Sequence, residues 1–436
     1  MNSRCLKSNK GTAKYLLPFA IGLTALMQSA CVTVSLERSD VEYQLLRQQP
    51  QQALAALENK KPADRDRSLY LLNKAMLLRM LNRFEESNNT FEQAKKLTEK
   101  LDATSLTEQA AAVTINDSQR SYLPKIFEQA LLHCFAAINY LQLQKPDEAR
   151  VEILQLDELL KREDEIQLPF ARYLSGLVFE FNQELDNALI AYRKAYQGYQ
   201  KNQLRIPRAL REDLLRLTDY LGLNEEHKRF ADEFSLASWP SQADINQQAR
   251  VIALVFNGLM PRKHSLEINA QSPTDGQLHR ISTPFYERRA VRVFRAELSA
   301  GSSSNGSELI AELDQHAREA LEDEMPGIIT RTIARVSIKN EVVDKTRNDT
   351  PLLSLALNIA TFLTEQADTR AWDTLPQQIL FTRLYLPAGK HNIQLNLSGS
   401  SLPGSRQSWP QINLKEGEAR LLSIHWSDSY VTQRRP

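Results

Sequence analysis

Apolar residues recur at helical spacing almost without a break from Asp40 to about Phe234, and at strand spacing in much of the remaining chain. Within the first part, Val41 to Lys61 carries Leu45, Leu46, Ala53, Leu54 and Leu57, which predicts a short helical pair broken at Pro50. The stretch Asn116–Leu156 predicts two antiparallel helices joined by a turn at Gln144-Lys145-Pro146-Asp147. Three sets of positions then share one set of offsets of three, nine, four and three residues. They are Ala75, Leu78, Ser87, Phe91 and Ala94; Ala137, Tyr140, Ala149, Ile153 and Leu156; and Gly176, Phe179, Ala188, Tyr192 and Ala195. Small residues at the first and third positions of every set, and at the fifth of all but the second, which has Leu156, let two helices approach closely, and the large residues fill the gap to the next pair. This is the pattern of a tetratricopeptide (TPR) repeat. The starts are uneven, 62 and 39 residues apart, against about 34 in a regular array. An irregular solenoid is therefore expected, with extra chain near residues 100–125. More helix, from Pro207 to Phe234, caps the array.

The composition changes across Ala237–Asp244. Strands are predicted at Arg250–Phe256, His264–Ala270, Ala290–Phe294, Ile379–Leu386 and His391–Leu397 by β-branched content and short apolar runs. Gln411–Leu414 and Arg420–Trp426 read as a closing hairpin around Glu416-Gly417. Gly301–Gly306 reads as a flexible loop. Helices are expected at Leu309–Glu324, from Pro326 to about Thr346, and at Leu352–Glu365, the last too short to span a membrane. The fold class is thus α+β: an irregular TPR-like α-solenoid over 41–236, followed by a smaller α+β domain over 245–436.

The N-terminus changes the picture of location. Basic residues up to Lys14 precede an apolar run from Tyr15 and the small residues Ser29 and Ala30 before Cys31. These are the n-region, h-region and cleavage site of a bacterial lipoprotein signal over residues 1–30, with Cys31 as the acylated residue and 31–40 as a linker. Two other readings stay open: an uncleaved anchor, since the uncharged run extends to Leu36, and a plain cleaved signal. The formal charge of +1 falls to about −3 once Arg4, Lys7, Lys10 and Lys14 are removed, leaving 50 basic against 53 acidic residues. That balance argues against nucleic acid as a ligand. The 42% apolar and 25% charged fractions are those of a globular chain.

Candidate chemistry is sparse. The three cysteines, Cys5, Cys31 and Cys134, form no CxxC or Cys/His cluster, and the seven histidines show no metal-ligand spacing. There is no GxSxG elbow, no phosphate-binding loop and no GxGxxG after a strand. No cofactor, no metal and no enzymatic activity are expected. Cys134 reads as a buried, inert thiol, and the acidic run Glu319–Glu324 as a solvated helix face. The candidate partner-binding residues are Arg150 and Glu152, on a second helix of a pair, and Trp372. All three have a structural alternative: an internal ion pair for the first two, a loop pin for the tryptophan. The arginines from Arg288 to Arg295 suit an anionic headgroup or glycan, or an edge strand guarded by charge.

The chain resembles a proteobacterial family of TPR-containing outer-membrane lipoproteins with no assigned activity. The matching residues are Asn116-Asp117, Tyr122, Phe127-Glu128, Asn139-Tyr140-Leu141 and Glu148–Glu152. In the second half they are Pro284-Phe-Tyr286, Asp368, Arg370, Trp372, Leu375-Pro376, Arg383 and Leu386–Gly389. The chain departs from the family at Gln28 of the cleavage motif and at Gln144, where a glycine is usual. The resemblance implies an outer-membrane protein facing the periplasm, near a lipoprotein that activates penicillin-binding proteins. The function expected is a non-enzymatic scaffold. Its membrane contact is the lipid anchor, and its partners are envelope proteins bound in the TPR-like groove. A polysaccharide or appendage export assembly and a cell-wall glycan-acting enzyme are the alternatives.

Overall fold

A computed structural model describes residues 33–108, 120–162, 168–271, 278–349 and 367–433. Cys31 and Leu352–Glu365 lie outside the described residues. Among the described residues, five helical hairpins make up the first half: α1 (Thr33–Leu46) with α2 (Pro50–Glu58), α3 (Arg67–Met80) with α4 (Phe84–Glu108), and α5 (Ile126–Gln142) with α6 (Pro146–Arg162). The last two are α7 (Pro169–Phe181) with α8 (Leu185–Lys201), and α9 (Arg208–Tyr220) with α10 (Asn224–Phe234). A short α11 (Gln242–Gln247) leads into the strands.

The predicted small and large positions are the contacts between paired helices. Ala75, Ala94, Ala137, Ala149, Ala188 and Ala195 are fully buried. Ser87 donates its hydroxyl to the Ala75 carbonyl at 2.8 Å. A Cβ on Gly176 would sit 2.2 Å from the Tyr192 ring, so only glycine admits that aromatic. The C-terminal helical stretch is a further repeat rather than a plain cap. Leu215, Thr218, His227, Ala231 and Phe234 keep the same offsets, and His227 Nδ1 lies 3.3 Å from the Thr218 hydroxyl.

Each hairpin turns in the same way. Gln48, Asn82, Gln144, Gln183 and Gly222 hold positive φ. In each case the next residue donates its N–H to a carbonyl five residues back, as in Lys145 to Tyr140 at 2.9 Å and Glu184 to Phe179 at 2.9 Å. These are Schellman turns, which satisfy carbonyls left over at the helix end. A left-handed residue other than glycine costs about 1–2 kcal/mol, yet four of the five turns use glutamine or asparagine.

Two four-stranded sheets form the second half. The first has the order β11 (Ala419–Trp426), β1 (Ala249–Asn257), β8 (Gln378–Leu386), β7 (Glu308–Glu312). Its β1–β11 pair is parallel and its other pairs are antiparallel. The second is antiparallel: β10 (Arg406–Leu414), β9 (Gly389–Ser398), β5 (Arg295–Ala300), β6 (Ser303–Gly306). Two ribbons complete it, β2 (Lys263–Gln271) with β3 (Leu278–Tyr286) and β4 (Arg288–Val291) with β12 (Ser429–Gln433).

Strand β1 explains the layering. All nine of its residues are buried. Val251, Ala253 and Val255 pack against the second sheet, while Ile252, Leu254 and Phe256 join the core of the helices. The first sheet is therefore sandwiched between the second sheet and the helical array. One hydrophobic core runs across both halves of the chain.

Several sequence expectations change here. Gly301–Gly306 is not a flexible loop: Gly301, at φ +60, turns a tight β5–β6 hairpin. The predicted closing hairpin is split, since β10 pairs with β9 and β11 with β1. Leu309 belongs to β7 rather than to a helix, and α12 (Leu313–Asp349) continues through Pro326. Among the described residues no helix is long and apolar enough to cross a membrane.

Candidate functional site

In a helical-hairpin array the inner face is the usual binding surface. In this chain the first sheet fills it. The helices α3, α5, α7 and α9 present their side chains to β11, β1, β8 and β7, and the contact is sealed by buried charge.

The largest cluster joins α7 and α9 to β1 and β8. Glu180 accepts from Arg250 of β1 at 2.6 Å, from Arg216 of α9, and from the Tyr192 hydroxyl at 2.7 Å. Asp213 accepts from Arg383 of β8 at 2.7 Å and from Arg216 at 3.1 Å, and Glu212 takes the second arm of Arg383 at 2.8 Å. Three guanidinium groups thus face three carboxylates. Burial by itself would raise the Glu180 carboxyl, but Arg216 and Arg250 outweigh it and hold it down to about 2. A buried charge is tolerated only when paired and hydrogen-bonded in this way.

A second contact, at α3, is built differently. Arg79 is 1% exposed. It donates to Ser423 of β11 at 2.9 Å and to Asn139 of α5, and lies over the Phe256 ring at 4.9 Å and the Phe135 ring at 5.6 Å. Burial lowers its pKa to about 9. His425, stacked on Phe256 at 4.6 Å, is pushed well below the usual histidine range by burial and by Arg79. Smaller ties run from Asn73 to Thr374 at 2.9 Å and from the Tyr199 hydroxyl to the Ile310 carbonyl at 2.6 Å. Glu308 of β7 accepts the first N–H groups of α9, from Arg208 and Ala209, at 2.6 and 2.8 Å, a favourable place for a carboxylate at a helix start.

The edge strand β11 is also closed. The Gln142 amide, with its oxygen and nitrogen assigned from the groups they face, accepts the Ser423 N–H at 2.6 Å. It donates to the Leu421 carbonyl at 3.2 Å. Gln144 meets Arg420, and Gln48 faces the Ser427 N–H at 3.4 Å.

The predicted partner-binding residues fall into this frame unevenly. Trp372 is 1% exposed and meets Phe91 and Phe135 edge to face, each at 6.1 Å, so it is a core residue and not an exposed anchor. Glu152 is buried between Lys95 at 2.9 Å and His133 at 2.8 Å. Arg150 stays at the surface, paired with Glu184. The expected groove is likewise corrected, because the chain's own sheet occupies it. Cys134 is fully buried, and burial pushes its thiol up.

What remains open is the outer face. Val151 and Leu154 of α6 and Ile190 of α8 are 51%, 45% and 49% exposed. Leu154 and Ile190 line one shallow groove of about 160 Å³, and Val151 lies one turn from Leu154. Asp157 closes one end, held well below the usual range by Lys161, Lys194 and Arg172 against the effect of burial. A cleft of about 680 Å³ lies where the turns of the third and fourth hairpins meet α11 and the start of β11. Among the described residues no group of three His, Cys, Asp or Glu side chains could hold a metal ion.

The chain matches no protein-family model and no curated protein. Among solved structures it is similar to the MamA RS-1 ArsTM double mutant, at 15% identity and a TM-score of 0.32 over 46% of this chain and 89% of that one. MamA 41-end from Desulfovibrio magneticus RS-1 gives 16% and 0.31 over 46% and 90%. The apo form of RapI gives 11% and 0.33 over 45% and 69%.

Proposed function

We propose that the protein is a lipid-anchored scaffold of the cell envelope that binds protein partners through the outer face of its helical array. The observation that carries this reading is the contiguous aliphatic patch of Val151, Leu154 and Ile190 on neighbouring outer helices. Single exposed aliphatics need no explanation, but a contiguous patch ringed by charge is the composition of an interaction surface. A filled inner face leaves the outer face to carry binding. The N-terminal signal supplies the anchor at Cys31, and the family resemblance supplies the compartment: the periplasmic side of the outer membrane, in peptidoglycan assembly.

Crosslinking the mature protein in its own envelope, with mass spectrometry of what is captured, tests the reading. A peptidoglycan synthase or its activator is expected with the native chain and lost with a Val151→Asp/Leu154→Asp variant. Equal capture by both would remove the outer patch from the proposal. Recovery of export or appendage components instead would move the protein to that machinery, and new muropeptides on incubation with peptidoglycan would make it an enzyme. A Cys31→Ala variant should leave the membrane fraction; one that stays there uncleaved would make the N-terminal segment a membrane anchor.

A further inference from the structure

A small cavity of about 170 Å³ lies away from the outer face. Four stretches distant in sequence build it: the extended segment 120–125 before α5, the β2–β3 ribbon, the middle of α12, and residues 367–370. Tyr122, Pro284, Asp368 and Arg370, all motif positions in the sequence, line it together.

Basic and acidic side chains share its lining. Arg120, Lys125, Lys263, Arg331 and Arg370 face it, against Glu324 and Asp368. Both carboxylates are already engaged. Lys125 holds Glu324 at 2.6 Å, and Arg370 holds Asp368 through two bonds of 2.7 and 2.9 Å. Arg370 is tied further to Asp66 at 2.9 Å and to the Arg120 carbonyl at 2.8 Å. Lys263, half-buried at the start of β2, has no carboxylate within 4 Å among the described residues. Burial lowers its pKa, and Lys125 adds to that while Asp368 opposes it. Ser282 also lines the cavity, its hydroxyl anchored by Ser265 at 2.6 Å and by the Ala367 N–H at 3.1 Å.

A buried ammonium with no carboxylate in contact is costly, since Asp368 acts on Lys263 only from a distance, and the cost is reduced by an anion that enters beside it. The volume limits what that anion is. A water takes about 30 Å³ of liquid, so the cavity has room for about six at most. It falls below the range of roughly 300–1,000 Å³ typical of whole small-molecule ligands. One oxyanion with its residual waters fits; a larger ligand would have to leave the rest of itself outside.

We propose that this cavity binds a single oxyanion group, phosphate or carboxylate, with Lys263 as the positioning charge. The site is independent of the scaffold reading. Its source is either a free ion or the headgroup of an anionic lipid, and the test separates the two.

The full chain is titrated with sodium phosphate and with sodium acetate at constant ionic strength, with chloride as the reference. Thermal midpoint and titration heat are the readouts. A saturable rise in midpoint with phosphate or acetate is expected for the native chain. Lys263→Met should weaken binding at least tenfold, and Lys263→Arg should retain it. Because phosphate also stabilises proteins by exclusion from their surface, the decisive quantity is the difference between the native chain and Lys263→Met. Circular dichroism checks that both variants fold, and Lys263→Gln replaces the methionine variant if that one does not. Soluble dihexanoyl phosphatidylglycerol that displaces phosphate would identify a lipid headgroup; failure to displace it would identify a free ion. Equal midpoint shifts in native and Lys263→Met chains, or no anion dependence in the native chain, would overturn the proposal.

Discussion

Replacing Glu180 by glutamine tests whether buried charge holds the helical array and the sandwich as one body. The glutamate takes hydrogen bonds from Arg250, Arg216 and Tyr192. Glutamine keeps the shape but leaves three buried guanidinium groups facing two carboxylates. Removing one member of a buried pair costs about 3–5 kcal/mol. The pH route gives a similar figure. The carboxyl is held at about 2, against 4.5 for an ordinary glutamate. At about 1.4 kcal/mol per unit this is about 3 kcal/mol of stability. A depressed acid contributes its full stability above its unfolded pKa. That contribution should therefore be intact above pH 4.5 and be lost as pH falls through 2. If unfolding is one transition of roughly 400 residues, its entropy is about 0.8 kcal/mol/K, and a loss of about 4 kcal/mol lowers the midpoint by about 5 °C. Urea unfolding at pH 7 and calorimetry from pH 6 to pH 2 measure both effects. The expected result is a variant destabilised by several kcal/mol at pH 7, with a shallower loss of stability than the native chain between pH 4.5 and 2. A loss under about 1 kcal/mol at pH 7, or parallel acid profiles, would refute the reasoning.

Other perturbations probe other joints. Gly176→Ala drives a methyl to 2.2 Å from the Tyr192 ring; about 1–3 kcal/mol of overpacking cost is expected by urea unfolding, and a neutral result would mean that the hairpin can open. Trp372→Ala should cost about 3–5 kcal/mol, with Trp372→Phe well under half of that, because the indole Nε1 has no hydrogen-bond partner to lose. Gln142→Ala removes the amide that closes β11. It should cost about 1–3 kcal/mol for the groups left unpaired and produce concentration-dependent association in sedimentation; a monomer at all concentrations would show that the edge needs no such cover.

Much of the helical half is legible in sequence because its contacts are local. Ala75 finds Ser87 and Gly176 finds Tyr192 within one hairpin, so the offsets carry the geometry. The last repeat is hidden in the sequence because Leu215 and His227 stand where the other sets have small residues, and Ala231 where they have a large one. The strands were legible one by one. The apolar run from Val251 to Phe256 is a strand buried on both faces, and it is. The neighbours of each strand were not legible. Nothing local tells Ile252 that it faces helices and Val251 that it faces a sheet, since both are β-branched. Gly301–Gly306 is short and polar, so nothing in it marks a strand, although its partner β5 is the strand just before it. The joint between the halves was the least visible part. Glu180 and Arg250 are far apart in sequence, Asp213 and Arg383 farther still. Each reads locally as a charge on an otherwise apolar pattern. An arginine in the middle of Ile379–Leu386 was the available signal, because a charge there must find a partner.

That joint decides whether the inner face of the array can open. To open the inner face, a partner would have to lift the first sheet away from the helices. The move would expose Ile252, Leu254, Phe256, Phe381 and Trp372 and unpair Arg250 and Arg383 together. Full burial of one such apolar side chain is worth about 1.5–3 kcal/mol, so the aliphatic and aromatic side chains alone represent on the order of 10 kcal/mol before any charge is counted. A micromolar partner supplies about 8 kcal/mol in total, which does not cover that cost. The array therefore works as a filled solenoid. Its inner face is spent on internal cohesion, while Val151, Leu154 and Ile190 on the outer helices and the cleft where the hairpin turns meet the sheet stay uncovered.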